Sequence, residues 1–229
     1  MFKNKLYLYI KLMRLNSPIG IFLLLWPPFW VIAVTSNGNI YNLISFIFLV
    51  GIITSRTIGC VINDFFDKKF DSRVSRTKDR PYASNLISKK EIFFIFVILS
   101  FINLSLLLFL NMKTVFLAFI AIIFIIIYPL TKRFIKAPQI FLGLTFSIST
   151  LMAFTSITNQ IPDYTTWIFF IATLVWVTMF DTMYAMSDKE DDLKININST
   201  AILFGNRDRE ITGFLQCVFF GIFIYVGYL

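Results

Sequence analysis

Seven apolar stretches, each long enough to cross a lipid bilayer as a helix, constrain this chain more than any other feature of its sequence. A helix needs about 20 mainly apolar residues to cross a hydrocarbon core about 30 Å thick. Only 15% of the 229 residues are charged, whereas soluble domains average roughly a quarter. The pattern predicts an all-α, polytopic transmembrane bundle. The predicted spans cover residues 18–35, 43–62, 91–110, 114–130, 138–158, 165–187 and 211–229.

Lysine and arginine fall almost entirely into alternate loops. They precede the first predicted span or follow the second, fourth and sixth, and among the 21 such residues only Arg56 and Lys113 depart from this pattern. The positive-inside rule therefore places the N-terminus and these loops in the cytoplasm. The net charge of +8 is explained by membrane orientation, so no nucleic-acid partner is expected.

The residues before the first span have the pattern of an amphipathic helix, over 2–16, that lies on an anionic membrane surface. One face is apolar and the other carries Lys3, Lys11 and Arg14. The chain has no histidine, which excludes histidine from catalysis and metal binding. Cys60 and Cys217 both lie within apolar spans, so no disulfide framework is indicated.

A cluster of carboxylates follows the second apolar run. Asn63 begins an N-D-x-x-D-x-x-x-D pattern in which Asp64, Asp67 and Asp71 are spaced i, i+3, i+7. This spacing puts the three carboxylates on one helix face, where like charges repel. An intramembrane carboxylate cluster needs a cation, and Mg²⁺ prefers oxygen ligands while retaining positions for phosphate. The cluster is therefore a candidate metal site.

Basic residues surround this cluster and leave two interpretations open. Arg56 lies seven residues before Asn63, near the same helix face. It either forms an ion pair that steadies Asp64 or Asp67, or attracts a phosphate. The loop after Asp71, with its arginines, is either a solvated surface or a source of donors for the outer oxygens of a diphosphate.

A second acidic cluster ends the sixth predicted span. Asp181, Asp188 and Asp192 are spaced i, i+7, i+11 and share a face with Tyr184. Four spans separate the two clusters, and an even number of crossings returns the chain to the same side. We therefore expect both clusters at one cavity mouth, where they can bind a Mg²⁺-diphosphate.

The two aspartate motifs resemble those of the intramembrane aromatic prenyltransferases of the UbiA type. The first likeness runs from Gly59 to Asp71 and continues at Arg76-Thr77 and Arg80-Pro81; the second runs from Asp181 to Gly205. Shorter similarities extend the resemblance over essentially the whole chain. They are Arg14-Leu15, Pro18-Ile19-Gly20, Leu24-Leu25-Trp26-Pro27, Tyr128-Pro129, Lys132-Arg133, Pro138-Gln139 and Leu142-Gly143.

The resemblance implies an enzyme of ubiquinone biosynthesis in a bacterial inner membrane, with its active site on the cytoplasmic side. It implies Mg²⁺-dependent transfer of a polyprenyl group from polyprenyl diphosphate to the carbon ortho to the hydroxyl of 4-hydroxybenzoate. By the resemblance, the metal ligands are Asp64, Asp67, Asp71, Asp188 and Asp192, of which all but Asp64 are also expected to be catalytic together with Arg133. The residues expected to bind substrate are Asn63, Arg56, Arg76, Arg80, Lys132, Arg133, Tyr184 and Lys194.

Two departures from the family pattern bear on this expectation. The family usually continues after Arg80-Pro81 to a Pro-Ser-Gly turn, whereas this chain has Ala83-Ser84-Asn85; asparagine can adopt the left-handed conformation that glycine would supply. Family members have nine helices, so residues 1–229 are expected to form a single membrane-embedded domain that lacks the last two.

Three other functions remain open from the sequence. The chain could be a sibling prenyltransferase that uses another aromatic acceptor, or an inactive truncated homologue. A divalent-cation transporter is the non-enzyme alternative, because intramembrane carboxylates also mark ion pathways. Against transport, both acidic clusters are predicted at one membrane face, with no acidic relay towards the other.

Overall fold

The computed structural model describes residues 2–72, 74, 76–131, 133–194 and 197–229. Within these ranges the chain is all helical and contains no strand, which confirms the predicted fold class. Its helices are α1 (Phe2–Leu12), α2 (Ile19–Thr35), α3 (Leu43–Asp71), α4 (Lys89–Leu107), α5 (Met112–Thr131), α6 (Pro138–Thr158), α7 (Tyr164–Lys194), α8 (Thr200–Phe204) and α9 (Asp208–Val226).

Six of the seven predicted spans overlap helical segments of 18 residues or more that are apolar enough to cross a membrane, although the predicted spans 91–110 and 211–229 extend three residues past the ends of theirs. The remaining one, α2, is an apolar helix of 17 residues, which at about 1.5 Å per residue is near the lower limit for a span. Pro27 and Pro28 lie inside α2 and are buried. The chain is thus a multi-pass membrane protein.

Two helices run well past their predicted spans, and both carry aspartate motifs. Helix α3 continues to Asp71 and α7 to Lys194, beyond the predicted limits at residues 62 and 187. Because the acidic segments remain helical, the i, i+3, i+7 spacing translates directly into a shared face. Each helix thus runs without interruption from the apolar core to its aspartate motif at the end of the bundle.

The apolar core joins α2, α3, α6 and α7. Its buried residues are Val31, Ile32, Phe48, Ile52, Ala153, Phe154 and Phe169. Gly143 allows α6 to approach α7 closely, since a Cβ there would lie 2.9 Å from the Leu174 carbonyl oxygen. Small residues at such crossings are typical of membrane helix packing. This core fixes α3 and α7 relative to each other and thus the spacing of the two motifs.

Helix α1 packs against the bundle instead of only resting on lipid. Leu12 is fully buried, in a cluster with Val61, Tyr82, Ile87 and Ile92. The helix ends earlier than predicted because Arg14 adopts a left-handed conformation, with φ of 57°. Leu15 N donates to the Ile10 carbonyl and Arg14 N to the Lys11 carbonyl, a Schellman termination that usually has glycine where Arg14 stands.

The turn after Arg80 contains a residue in the left-handed conformation. Asn85 has φ of 59°, so asparagine occupies the left-handed position as predicted. Leu86 N and Ile87 N both donate to the Pro81 carbonyl, at 2.9 and 3.1 Å. Ser88 and Glu91 then form a capping box that begins α4.

Candidate active site

The first aspartate motif is buried on one face of the last turns of α3. Asp64, Asp67 and Asp71 are 2%, 8% and 7% exposed, as their helical spacing predicts. Three carboxylates at this depth require cationic partners, because burial of unpaired charge is costly. The site is therefore organised by the residues that neutralise them.

Two arginines from distant parts of the chain neutralise this motif. Arg14 Nη2 lies 2.7 Å from Asp64 Oδ1, and Arg80 Nη1 lies 3.3 Å from the same oxygen and 2.7 Å from Asp71 Oδ2. The loop that carries Arg80 folds back on α3 because the Thr77 hydroxyl donates to the Asp71 carbonyl at 2.9 Å. The Asp64 carboxylate on α3 thus contacts both Arg14, at the end of α1, and Arg80, in the loop after α3.

Asp64 has one oxygen that these contacts do not satisfy. Its Oδ2 is buried and has no hydrogen-bond partner among the described residues. A buried carboxylate oxygen normally has a partner, so an orphaned one marks a place for a ligand or a cation. Asp64 is one of the residues that line the cavity, as are both arginines.

The second aspartate motif lies on α7 and is joined to the loop after α3. Arg76 makes a bidentate ion pair with Asp188 through Nε and Nη2. These hydrogen bonds hold the pKa of the Arg76 guanidinium above its ordinary value, so Arg76 stays charged at any physiological pH. The link connects motifs that are more than a hundred residues apart in sequence, as the count of spans predicts.

Both motifs line one cavity of about 190 Å³. Of the predicted metal ligands, all five line it, and so do Asn63, Arg56, Arg76, Arg80 and Tyr184 from the predicted substrate-binding set. Phe70 contributes an aromatic wall. Carboxylates, guanidinium groups and aromatic rings therefore converge on a single space at the charged end of the bundle.

Arg56 differs from the other arginines of the cavity. Its Nη1 donates to the Cys60 thiol at 3.2 Å, which is a weak acceptor. Whereas Arg14, Arg76 and Arg80 each pair with a carboxylate, Arg56 forms no ion pair with any carboxylate in the described part of the chain. The interpretation of Arg56 as a fixed partner of Asp64 is therefore wrong, because Asp64 pairs with Arg14 and Arg80.

Two of the predicted substrate-binding residues lie outside the cavity wall, and one lies outside the described residues. Arg133 is exposed, with its guanidinium carbon 5.3 Å from the centre of the Phe70 ring and Nη2 3.3 Å from the Phe66 carbonyl. Lys194 pairs instead with Asp191, at 3.3 Å. Neither lines the cavity, although Arg133 contacts Phe70 of the cavity wall. Lys132 is the residue that the structure does not describe.

Other residues of the cavity were not singled out as site residues from the sequence. Arg14 is the most important, because it contacts Asp64 directly. Its sequence signals are its place as a cation at the end of an amphipathic helix and the similarity of Arg14-Leu15 to the family. The remaining ones are Cys60, Phe70, Val74, Thr77, Tyr128, Gln139, Ala185, Ile197, Asn198 and Ser199. Asp181 was expected on the face of the second motif and lies there, whereas Gln139 reaches the cavity from α6.

The donor set suits Mg²⁺. Its candidate ligands are carboxylates, and the chain has no histidine. One buried Asp64 oxygen has no hydrogen-bond partner in the part of the chain that the structure describes, and Mg²⁺ prefers hard oxygen ligands. No three Asp, Glu or Cys side chains among the described residues are gathered closely enough to hold an ion. Arginines contact Asp64, Asp71 and Asp188 instead, and Arg76 holds both oxygens of Asp188, so metal binding by Asp188 requires Arg76 to move.

Comparisons with known proteins agree with this geometry. The model of the UbiA prenyltransferase family matches residues 24–229. Among curated relatives, the 4-hydroxybenzoate octaprenyltransferase of Shewanella loihica is 44% identical over 225 residues, which cover 98% of this chain and 78% of the relative. The enzyme of the same name from Vesicomyosocius okutanii is 46% identical over 94% of this chain and 78% of its own length.

Solved structures share the fold. A UbiA homologue from Aeropyrum pernix in its apo state has a TM-score of 0.76 at 22% identity, covering 90% of this chain and 77% of its own. A UbiA homologue from Archaeoglobus fulgidus bound to GPP and Mg²⁺ has a TM-score of 0.73 at 19% identity, covering 96% and 77%. With the family model matching most of the chain, the expectation from its motifs is confirmed: the chain belongs to the UbiA prenyltransferase family.

Proposed function

We propose that this chain transfers a polyprenyl group from polyprenyl diphosphate to 4-hydroxybenzoate, giving 3-polyprenyl-4-hydroxybenzoate and diphosphate in ubiquinone biosynthesis. The observation that carries the proposal is one cavity in which two aspartate motifs converge with four arginines. The curated relatives named 4-hydroxybenzoate octaprenyltransferase, about 44% identical over nearly the whole chain, support the choice of acceptor.

The diphosphate is assigned to the mouth of the cavity. There Asp64, Asp67, Asp71, Asp188 and Asp192 would hold Mg²⁺. When bound, Mg²⁺ neutralises the charge that develops on the departing diphosphate. Arg76 is placed to donate to its outer oxygens once it leaves Asp188, since the planar guanidinium fork matches phosphate oxygens. Arg80 pairs with Asp64 and Asp71 through Nη1 alone, so its other N–H groups can donate to the diphosphate while these ion pairs remain. Lys132, Arg133 and Lys194 are assigned to the approach of the same anion.

The acceptor is assigned to the deeper part of the cavity, beside Arg56 and Asn63. 4-Hydroxybenzoate is itself an anion, and Arg56 is a cavity arginine without a described carboxylate partner.

In the reaction, the allylic carbon–oxygen bond breaks and its electron pair leaves with the diphosphate. The ring carbon ortho to the hydroxyl forms the new carbon–carbon bond, and its proton passes to water. Phe70 and Tyr184 provide ring faces that stabilise a developing allylic cation.

The proposed location is the bacterial inner membrane, with the N-terminus and the cavity on the cytoplasmic side. Alternation of basic loops supports this orientation through the positive-inside rule. We treat residues 1–229 as one membrane-embedded domain, because α2, α3, α6 and α7 share a single core.

The proposal is tested by a transfer assay in membranes that contain the expressed chain. Polyprenyl diphosphate and 4-hydroxybenzoate should give the 3-polyprenyl product in the presence of Mg²⁺ or Mn²⁺, and excess chelator should abolish it. Competing aromatic acceptors in the same reaction should be used far less. Full turnover in excess chelator, or preference for another acceptor, would contradict the proposal.

Asp163→Asn is a suitable control for the carboxylate variants. Asp163 precedes α7 at the opposite end from Asp188, and its carboxylate caps the helix by accepting from Thr166 N at 2.8 Å. Asparagine is an equally good N-cap, so this variant removes one negative charge without loss of the helix start. It should retain the transfer rate of the unmodified chain.

A further inference from the structure

The guanidinium of Arg56 lies against the backbone of α2 at Gly20. A Cβ added to Gly20 would lie 2.6 Å from Arg56 Nε, 2.7 Å from Nη2 and 3.0 Å from Cζ. Contacts this short are not tolerated between a Cβ and a heavy atom, so one group must move. Because the atoms belong to the end of a flexible side chain, the guanidinium would move and the helices would not.

Gly20 does not itself line the cavity, whereas Arg56 does. The effect of a side chain at residue 20 would therefore reach the cavity through Arg56. No described carboxylate fixes Arg56 by an ion pair, and its donor to the Cys60 thiol is a weak contact. The position of the Arg56 guanidinium therefore depends mainly on the space that Gly20 leaves by having no Cβ.

We propose that Gly20 is a positioning residue: its lack of a side chain lets Arg56 hold the carboxylate of the aromatic acceptor. This inference rests on the proposed function, in which Arg56 binds that carboxylate. It gives Gly20 a role in acceptor affinity and not in diphosphate binding, because Arg56 takes no part in the described ion pairs of Asp64, Asp71 and Asp188.

The test measures equilibrium binding of radiolabelled 4-hydroxybenzoate to the purified full chain in lipid nanodiscs. The proteins compared are the unmodified chain, Gly20→Ala, Arg56→Ala and the double variant. Gly213→Ala is the matched control, since Gly213 also lies in an apolar helix and no described atom comes within 4 Å of an added Cβ. Binding of a polyprenyl thiolodiphosphate with Mg²⁺ is measured in parallel.

Gly20→Ala should weaken 4-hydroxybenzoate binding about tenfold, as expected for a displaced charged hydrogen bond. In the Arg56→Ala background the same change should have no further effect, and Gly213→Ala should bind normally. Thermal stability should not fall, because alanine has a higher helix propensity than glycine.

The inference is overturned if Gly20→Ala binds the acceptor as well as the unmodified chain, or if the losses multiply in the double variant. It is also overturned if Gly20→Ala weakens binding of the thiolodiphosphate equally, since that indicates a general packing defect. Failure of the unmodified chain to bind 4-hydroxybenzoate would contradict the proposed acceptor itself, before any variant is compared.

Discussion

The aspartate motif on α3 is buried and paired with two arginines, whereas the motif on α7 is more open and meets the first motif through an exposed arginine. The side chain of Asp64 is 2% exposed and that of Asp188 is 14% exposed. Arg14 and Arg80, which serve the first motif, are 26% and 22% exposed, but Arg76 is 52% exposed. Buried ion pairs are costly to break, while exposed ones contribute little.

The difference in burial suggests that the two motifs act at different steps of substrate binding, although their residues are similar. The α3 motif is held in place before substrate arrives, because its partners come from the end of α1 and from a loop fixed to α3 by Thr77. The Arg76–Asp188 bridge can be exchanged for substrate contacts at small cost. A diphosphate that arrives with Mg²⁺ would therefore bind to a prepared first motif and recruit the second.

The largest effect should come from removing a carboxylate of either motif. Asp67→Asn and Asp188→Asn should each lower turnover by about a hundredfold or more, and the change should appear in kcat as well as KM, because a lost metal ligand weakens transition-state stabilisation. Steady-state transfer assays measure both, with Asp163→Asn as the control. Near-normal turnover in both variants would show that these aspartates are structural.

Loss of an arginine partner should destabilise the protein more at the α3 motif than at the α7 motif. Arg80→Ala leaves Asp64 and Asp71 buried with one partner fewer, and should lower the free energy of unfolding by about 2–3 kcal/mol. Arg76→Ala removes an exposed partner and should cost less than about 1 kcal/mol. Reversible unfolding in mixed micelles compares the two. If Arg80→Ala and Arg76→Ala lower the free energy of unfolding equally, the α3 motif is not held more firmly than the α7 motif.

Arg14 gives a finer test of the first motif, because it occupies a left-handed position that suits glycine. Arg14→Ala and Arg14→Gly both lose the ion pair with Asp64, but only alanine keeps the backbone strain. The glycine variant should be more stable than the alanine variant by about 1 kcal/mol, with equal loss of activity. If alanine is at least as stable as glycine, the conformation at Arg14 is not strained.

The smallest effects on catalysis should come from Arg133 and Lys194, the basic residues that lie outside the cavity wall. Arg133→Ala removes a cation–π contact with Phe70, worth about 0.5–1 kcal/mol at an exposed site, and should raise KM for the polyprenyl diphosphate by about two- to fivefold. Lys194→Ala loses an exposed pair with Asp191 and should change KM less than twofold. A hundredfold loss of kcat in Arg133→Ala would place that residue inside the reacting site.

Hydropathy and helical spacing were sufficient to predict the helices and the shared faces of both motifs, because these depend on residues close together in sequence. Arg14 could not be recognised, since its contact with Asp64 spans 50 residues and depends on a left-handed backbone at the end of α1. The contacts of Arg133 with Phe70 and of Lys194 with Asp191 depend on side-chain geometry at helix ends. Likewise, the close contact of Gly20 with Arg56 arises only when α2 packs on α3.

The central claim is that both motifs bind one Mg²⁺-diphosphate, and its most direct test is the binding of a non-reacting polyprenyl thiolodiphosphate in nanodiscs. The affinity should depend on Mg²⁺ in the unmodified chain and in Asp163→Asn. Both Asp67→Asn and Asp188→Asn should lose that Mg²⁺-dependent affinity by about tenfold or more. Unchanged Mg²⁺-dependent binding in either variant would contradict the account, because one motif would then suffice.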